Sequence, residues 1–176
     1  MLEAHDDHAL DVGTLVRWDL IVETCAVALP QVYCTPLAPG SSSGCIPQLS
    51  APGNPNLAHS GTCVLTLSQV EGQRAGIFFY GINGSQLQSW CNAQGQSFLC
   101  VRPPTQRALS SDSLGTSLMC NGSFTLDWNA FQLANPTALG NPFGSGSTVE
   151  VQGCFHDPTA CKTTFLSPAA TLTYQP

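Results

Sequence analysis

Charge is what this sequence has least of. Only 9% of its residues are Asp, Glu, Lys or Arg, and the formal net charge is −6. The basic residues Arg17, Arg74, Arg102, Arg107 and Lys162 are scattered, with no stripe among them. A nucleic-acid partner needs several cations per site to neutralise phosphates, so that class is excluded. A polybasic membrane patch is missing for the same reason. No apolar run approaches the roughly twenty residues that span a bilayer. The opening MLEAHDDHALDVG has neither the basic nor the apolar region of an export signal.

Catalytic and metal motifs are missing too. No serine lies in a G-x-S-x-G elbow, so His156-Asp157 has no partner nucleophile in sight, and Asp157-Pro158 reads as a turn. The carboxylates Glu71, Asp112, Asp127, Glu150 and Asp157 are dispersed, and sequence neither supports nor excludes a glycosidase pair among them. His5, Asp6, Asp7 and His8 are the densest ionisable cluster, read as a solvated chain start, with calcium at Asp6, Asp7 or Asp11 as the minor alternative. The expectation is a non-enzyme with no metal or other cofactor.

Cysteine, by contrast, is abundant: Cys25, Cys34, Cys45, Cys63, Cys91, Cys100, Cys120, Cys154 and Cys161. None forms the tight C-x2-4-C knuckle of structural zinc, and the closest spacings suit disulfide loops. Spacing suggests Cys34–Cys45, Cys100–Cys120 and Cys154–Cys161, more weakly Cys63–Cys91, with Cys25 left over, although connectivity does not follow from spacing alone. Disulfides together with a polar surface of Ser, Thr, Asn, Gln and Gly predict an extracellular or cell-surface protein. Since no export signal is present, the expectation is that this chain belongs to a larger secreted protein.

Val16, Trp18, Leu20 and Val22 alternate with polar residues as a half-buried strand. Residues 35–61 are rich in Pro, Gly, Ser and Asn and read as a long loop pinned by cysteines. Further strands are predicted at Cys63–Val70, Ala75–Tyr80, Ser97–Arg102, Ser123–Trp128, Thr148–Phe155 and Ala170–Tyr174. In the fifth of these, Val149 and Val151 should face inward and Glu150 and Gln152 outward. Asn83-Gly84 and Asn121-Gly122 are hairpin-turn signals that also match glycosylation acceptors. A short helix at 128–134 follows Asp127 as N-cap and stops at Asn135-Pro136, with Phe131 and Leu133 or Ala134 inward. The predicted fold is all-β: an antiparallel sandwich, jelly-roll or Ig-like, with one short helix and several disulfides. Of the aromatics, Trp90 is the candidate for an exposed binding surface; Phe78, Phe79 and Tyr80 fit a core better.

Two resemblances mark different stretches. Asp11, Gly13-Thr14-Leu15 and Trp18-Asp19-Leu20, within residues 8–23, look like the last strand of the P domain of subtilisin-like proprotein convertases. That implies a parent with an upstream serine endopeptidase domain. Residues 33–176 are similar to a C-terminal module of large secreted proteins from planctomycete-type bacteria. The carrying residues are Tyr33-Cys34-Thr35, Glu71-Gly72-Gln73-Arg74-Ala75-Gly76, Phe79-Tyr80-Gly81, Phe98-Leu99-Cys100-Val101, Leu126-Asp127-Trp128-Asn129-Ala130-Phe131 and Gly140-Asn141-Pro142-Phe143. Cys91, Cys154 and Cys161 depart from that pattern. The resemblance implies an anchoring, sorting or surface-binding role.

The sequence thus divides into a P-domain-like strand fragment (1–24), a connector (25–33) and a disulfide-containing β-sandwich module (34–176). The leading expectation is a non-catalytic extracellular attachment or binding module, for a cell-surface polymer or polysaccharide. One alternative is a secreted-protease fragment that positions the catalytic domain; the other is a self-associating surface protein.

Overall fold

The computed structural model describes residues 29–38, 40–91 and 97–176. His5, Asp6, Asp7, His8, Asp11, the strand expected at 16–22 and Cys25 lie outside them.

The described chain is built from antiparallel strands: β1 Gln31–Tyr33, β2 Gln48–Ser50, β3 Val64–Val70, β4 Ala75–Gly81, β5 Ser85–Ser89, β6 Phe98–Val101, β7 Thr105–Asp112, β8 Gly122–Asp127, β9 Thr148–His156 and β10 Thr164–Thr173. Its single α-helix among the described residues, α1, spans Trp128–Ala134. A five-stranded sheet in the order β1-β10-β9-β4-β7 faces a three-stranded sheet β2-β3-β8, and β5 pairs with β6 in a separate ribbon. Leu65, Leu67, Phe124 and Leu126 of the smaller sheet meet Phe78, Tyr80, Val149, Val151 and Leu172 of the larger one in the main core. Close approach of the two sheets depends on glycine. A Cβ on Gly153 would lie 2.6 Å from the Leu67 side chain, and one on Gly76 2.5 Å from the Phe124 ring.

The β5–β6 ribbon covers the far face of the larger sheet, where Val101 packs with Phe79 and Leu166. This third layer corrects the expectation for β9. Glu150 and Gln152 do not face solvent; both are buried, because β9 is central in its sheet and covered on both sides. Each is therefore hydrogen-bonded, as buried polar groups must be. Gln152 Nε2 donates to the Phe98 and Ser167 carbonyls, and its Oε1 accepts from Cys100 N at 3.1 Å. Glu150 Oε2 accepts from the hydroxyls of Tyr33 and Thr171, each at 2.7 Å.

The sheet also takes in Gln31–Tyr33, which pairs with β10, so the folded unit includes the end of the expected connector. The long loop contains β2, the last strand begins earlier than expected at Thr164, and β5 and β7 were not anticipated. Neither Asn-Gly turn forms a two-residue hairpin between paired strands. Asn83-Gly84 leads from the large sheet to the ribbon, and Asn121 closes a loop by accepting from Thr116 N.

The disulfide pairing also differs from expectation. Cys34 bonds Cys100, Cys45 bonds Cys120 and Cys91 bonds Cys161, replacing the expected Cys34–Cys45, Cys100–Cys120, Cys154–Cys161 and Cys63–Cys91. Cys63 and Cys154 are free thiols. The bonds join layers and distant loops, whereas spacing favours partners near in sequence. The Cys34–Cys45 segment is instead held by carboxylates: Asp157 accepts from Ser42 N and Oγ, and Glu71 accepts from Ser43 Oγ.

Candidate functional site

Helix α1 begins where Asp127 Oδ1 accepts from Ala130 N at 3.0 Å, and its last turn closes as Asn135 Nδ2 donates to the Phe131 carbonyl at 2.8 Å. At two turns it is too short to hold itself in water, so packing must hold it. Trp128 inserts into the core, donates to Tyr174 Oη at 2.9 Å, and meets Tyr80 edge to face at 5.0 Å. Gln132, one turn later on the same face, is buried beside it. The expectation of Leu133 or Ala134 inward is therefore corrected. Leu133 is 64% exposed and Phe131 only partly buried, because Trp128 fixes the helix rotation.

The result is a cavity of about 320 Å³ at one end of the sandwich, lined by Leu57, His59, Gln132, Leu133, Phe143 and Tyr174 among others. Phe143 stacks on Tyr174 with centroids 4.5 Å apart. It can fold down because Gly140 has no Cβ, which would sit 2.5 Å from its ring. The opposite wall is tied to the C-terminal segment. Leu57 N donates to the Gln175 carbonyl, Gln175 N to the Pro55 carbonyl, and Thr173 N to Asn54 Oδ1. That wall carries His59, whose Nδ1 is buried.

Two of the lining side chains carry fully buried polar atoms: the amide of Gln132, which is hydrogen-bonded to Tyr80, and His59 Nδ1. Tyr80 directs its one proton at Gln106 Oε1 (3.1 Å) and the Leu139 carbonyl (3.0 Å), while its oxygen is hydrogen-bonded by the Gln132 amide. A second, shallower depression beside Ile77, Cys154 and His156 is lined by neither of these buried polar side chains.

The residues singled out from sequence have other placements. Trp90 is half-buried, not a free platform. Its Nε1 donates to Thr164 Oγ1 at 3.0 Å, and Lys162 Nζ sits 4.0 Å over its ring. The five carboxylates are each engaged locally: Glu71 with Arg74, Asp112 with Leu114 N, Asp127 at the helix cap, Glu150 and Asp157 as above. Among the described residues, no group of three or more His, Cys, Asp and Glu could hold a metal ion. None of their helices is long and apolar enough to cross a membrane.

Burial pushes the Cys63 thiol and the Tyr80 phenol up to about 12, and raises Tyr174 as well. The native state therefore favours their protonated forms. That stability is whole below the ordinary values of 9.0 and 10.0 and is lost as pH rises towards about 12. Thermal midpoints should stay flat up to about pH 8.5 and fall steeply above it. Tyrosinate absorbance at 295 nm should rise together with unfolding. Full ionisation of every tyrosine before any loss of structure would contradict this picture.

Comparison with known proteins gives no further guide: no family model, no curated protein and no solved structure matches the chain.

Proposed function

We propose that this chain is a non-catalytic extracellular binding module, attached to a larger secreted protein, and that the cavity beside α1 is its ligand seat. The observation that carries the reading is the cavity itself, an open hollow of about 320 Å³ walled by the stacked Phe143 and Tyr174 and rimmed by the exposed Leu57 and Leu133. Three disulfides among the described residues suit an oxidising compartment. The carboxylates and the free thiols are spent on packing and hydrogen bonds, which favours binding over chemistry. A cell-surface polymer or polysaccharide is the ligand class this reading takes, in keeping with the planctomycete-type module that residues 33–176 resemble.

The test is retention of the disulfide-intact chain on a panel of insoluble polysaccharides and whole bacterial cells. Saturable binding, competed by soluble polymer, is the expected outcome. Absence of retention across the panel would overturn it.

A further inference from the structure

The tripeptide Asn-Gly-Ser occurs twice, as Asn83-Gly84-Ser85 and as Asn121-Gly122-Ser123, and the fold treats the two copies differently. Independently of what the cavity binds, we infer that Asn83 is a site of spontaneous succinimide formation and that the fold protects Asn121 from the same reaction. The chemistry needs no co-reactant but water. The glycine backbone nitrogen gives up its proton and attacks Cγ of the preceding carboxamide, forming a C–N bond that closes a five-membered ring. The Cγ–Nδ2 bond breaks and ammonia leaves. Water then opens the ring at either carbonyl, giving aspartate or, with the main chain rerouted through the side chain, isoaspartate. Glycine favours closure because it puts no side chain against the attacking nitrogen and leaves its backbone free to rotate.

At Asn83 both reacting groups can turn. The residue is exposed in the link between β4 and β5, outside either strand. Gly84 has φ +80° and nothing within 4 Å of where a Cβ would stand. The side-chain hydrogen bond of Asn83 runs from Nδ2 to the Pro103 carbonyl at 2.9 Å, so it engages the nitrogen that leaves and not the carbon that is attacked.

Asn121 is held on both sides of the bond that would form. Its Oδ1 accepts from Thr116 N at 2.8 Å, and its Nδ2 donates to Thr116 Oγ1 at 3.4 Å. Gly115 is packed so close that a Cβ there would lie 2.6 Å from that oxygen. Gly122, which carries the attacking nitrogen, is buried as the first residue of β8, opposite Val70. Ser123 N anchors the same strand end on the Ser113 carbonyl at 2.7 Å, and Cys120 is bonded to Cys45. Ring closure therefore requires release of the carboxamide and of the strand together.

The product alters the joint between the large sheet and the ribbon. A carboxylate cannot donate to Pro103. Isoaspartate also lengthens the main chain just before Gly84, whose carbonyl accepts from Arg102 N at 3.1 Å beside the Ser85–Val101 pair.

The test is to keep the disulfide-bonded chain warm at mildly alkaline pH and score its peptides by mass spectrometry for aspartate and isoaspartate. A second sample is reduced and unfolded first. Because the tripeptides are identical, the two sites should react at similar rates in that sample. In the native chain Asn83 should react at least about tenfold faster than Asn121, since the loss of hydrogen-bonded anchors is added to the barrier at Asn121 alone. Exchange at Arg102 N should quicken in the aged protein. Asn83→Gln, at an exposed position, should remove most of the acidic shift seen on ageing by isoelectric focusing, because glutamine must close a larger ring.

Equal native rates at the two sites, or a faster reaction at Asn121, would overturn the inference. So would an Asn83→Gln variant that acidifies as fast as the parent, or unfolded rates that already differ as much as the native ones. The comparison of native and unfolded chains needs no variant, so a misfolded mutant cannot leave the question open.

Discussion

Replacing Cys45 and Cys120 together by serine should cost the fold about 4 kcal/mol, measured as a lower denaturant midpoint under non-reducing conditions. The bond closes a loop of 75 residues, and the estimate is the chain entropy that such a closure removes from the unfolded ensemble. Its native surroundings say where the loss will be felt. Cys45 is buried, its amide donates to Ser41 Oγ, and Ser41 N donates to the Cys45 carbonyl. Hydrogen exchange should therefore speed up first between Ser41 and Ile46, while β9 and β10 keep their protection. A variant as stable as the parent would mean that the two carboxylate tethers of this segment suffice without the disulfide.

The second large effect is expected at Glu71. Its side chain is 2% exposed, accepts from Arg74 Nη2 at 2.7 Å and from Leu118 N at 3.1 Å, and also receives the Ser43 hydroxyl. Glu71→Ala would leave a partly buried guanidinium and a backbone N–H without their acceptor, and removing one partner of a buried pair costs about 3–5 kcal/mol. Burial alone would raise the carboxyl's pKa. The hydrogen bonds from Arg74, Ser43 and Leu118, with the Arg74 charge, outweigh burial and hold it below its ordinary 4.5. A depressed carboxylate contributes its full stability above 4.5 and loses it as pH falls through the lower, folded value. Acid unfolding should therefore steepen below about pH 4.5 in the parent and be shallower in Glu71→Gln. Identical acid limbs for the two proteins would show that Glu71 is not the group that titrates.

How far the sequence foretold this depended on which physical signal each element carries. Helix α1 was legible to the residue because its stop and start are local: the Asp127 side chain at one end and Asn135-Pro136 at the other. Strand β8 was legible through the strict alternation of Phe124, Leu126 and Trp128. Strand β7, Thr105–Asp112, was not, since it lies at a sheet edge with little of its surface buried and so shows no apolar period. In β9 the strand is visible, but alternation points Glu150 and Gln152 to solvent because nothing local announces a covering third layer.

The candidate site was hidden for a related reason. Hydrophobicity ranks Phe131 and Leu133 or Ala134 as the inward residues of α1; Phe131 does pack against the core, but the helix is turned by Trp128, and the residue four positions on is Gln132. A polar residue one turn from a tryptophan that must be buried was the available signal. His59 and Phe143 approach it only through long-range pairing, the one by the clasp on Gln175 and the other by the stack on Tyr174, and such pairing is invisible to any window along the chain. Disulfide partners share that property, which is why spacing paired them wrongly.

The order of those partners has a consequence for how the chain meets a protease. Cys34–Cys100, Cys45–Cys120 and Cys91–Cys161 overlap one after another, so every peptide bond from Cys34 to Cys161 lies under at least one covalent span. A protease that clips any single bond in that stretch releases nothing. The nicked chain keeps both pieces, and with them the wall and the helix of the cavity, until a reductant arrives.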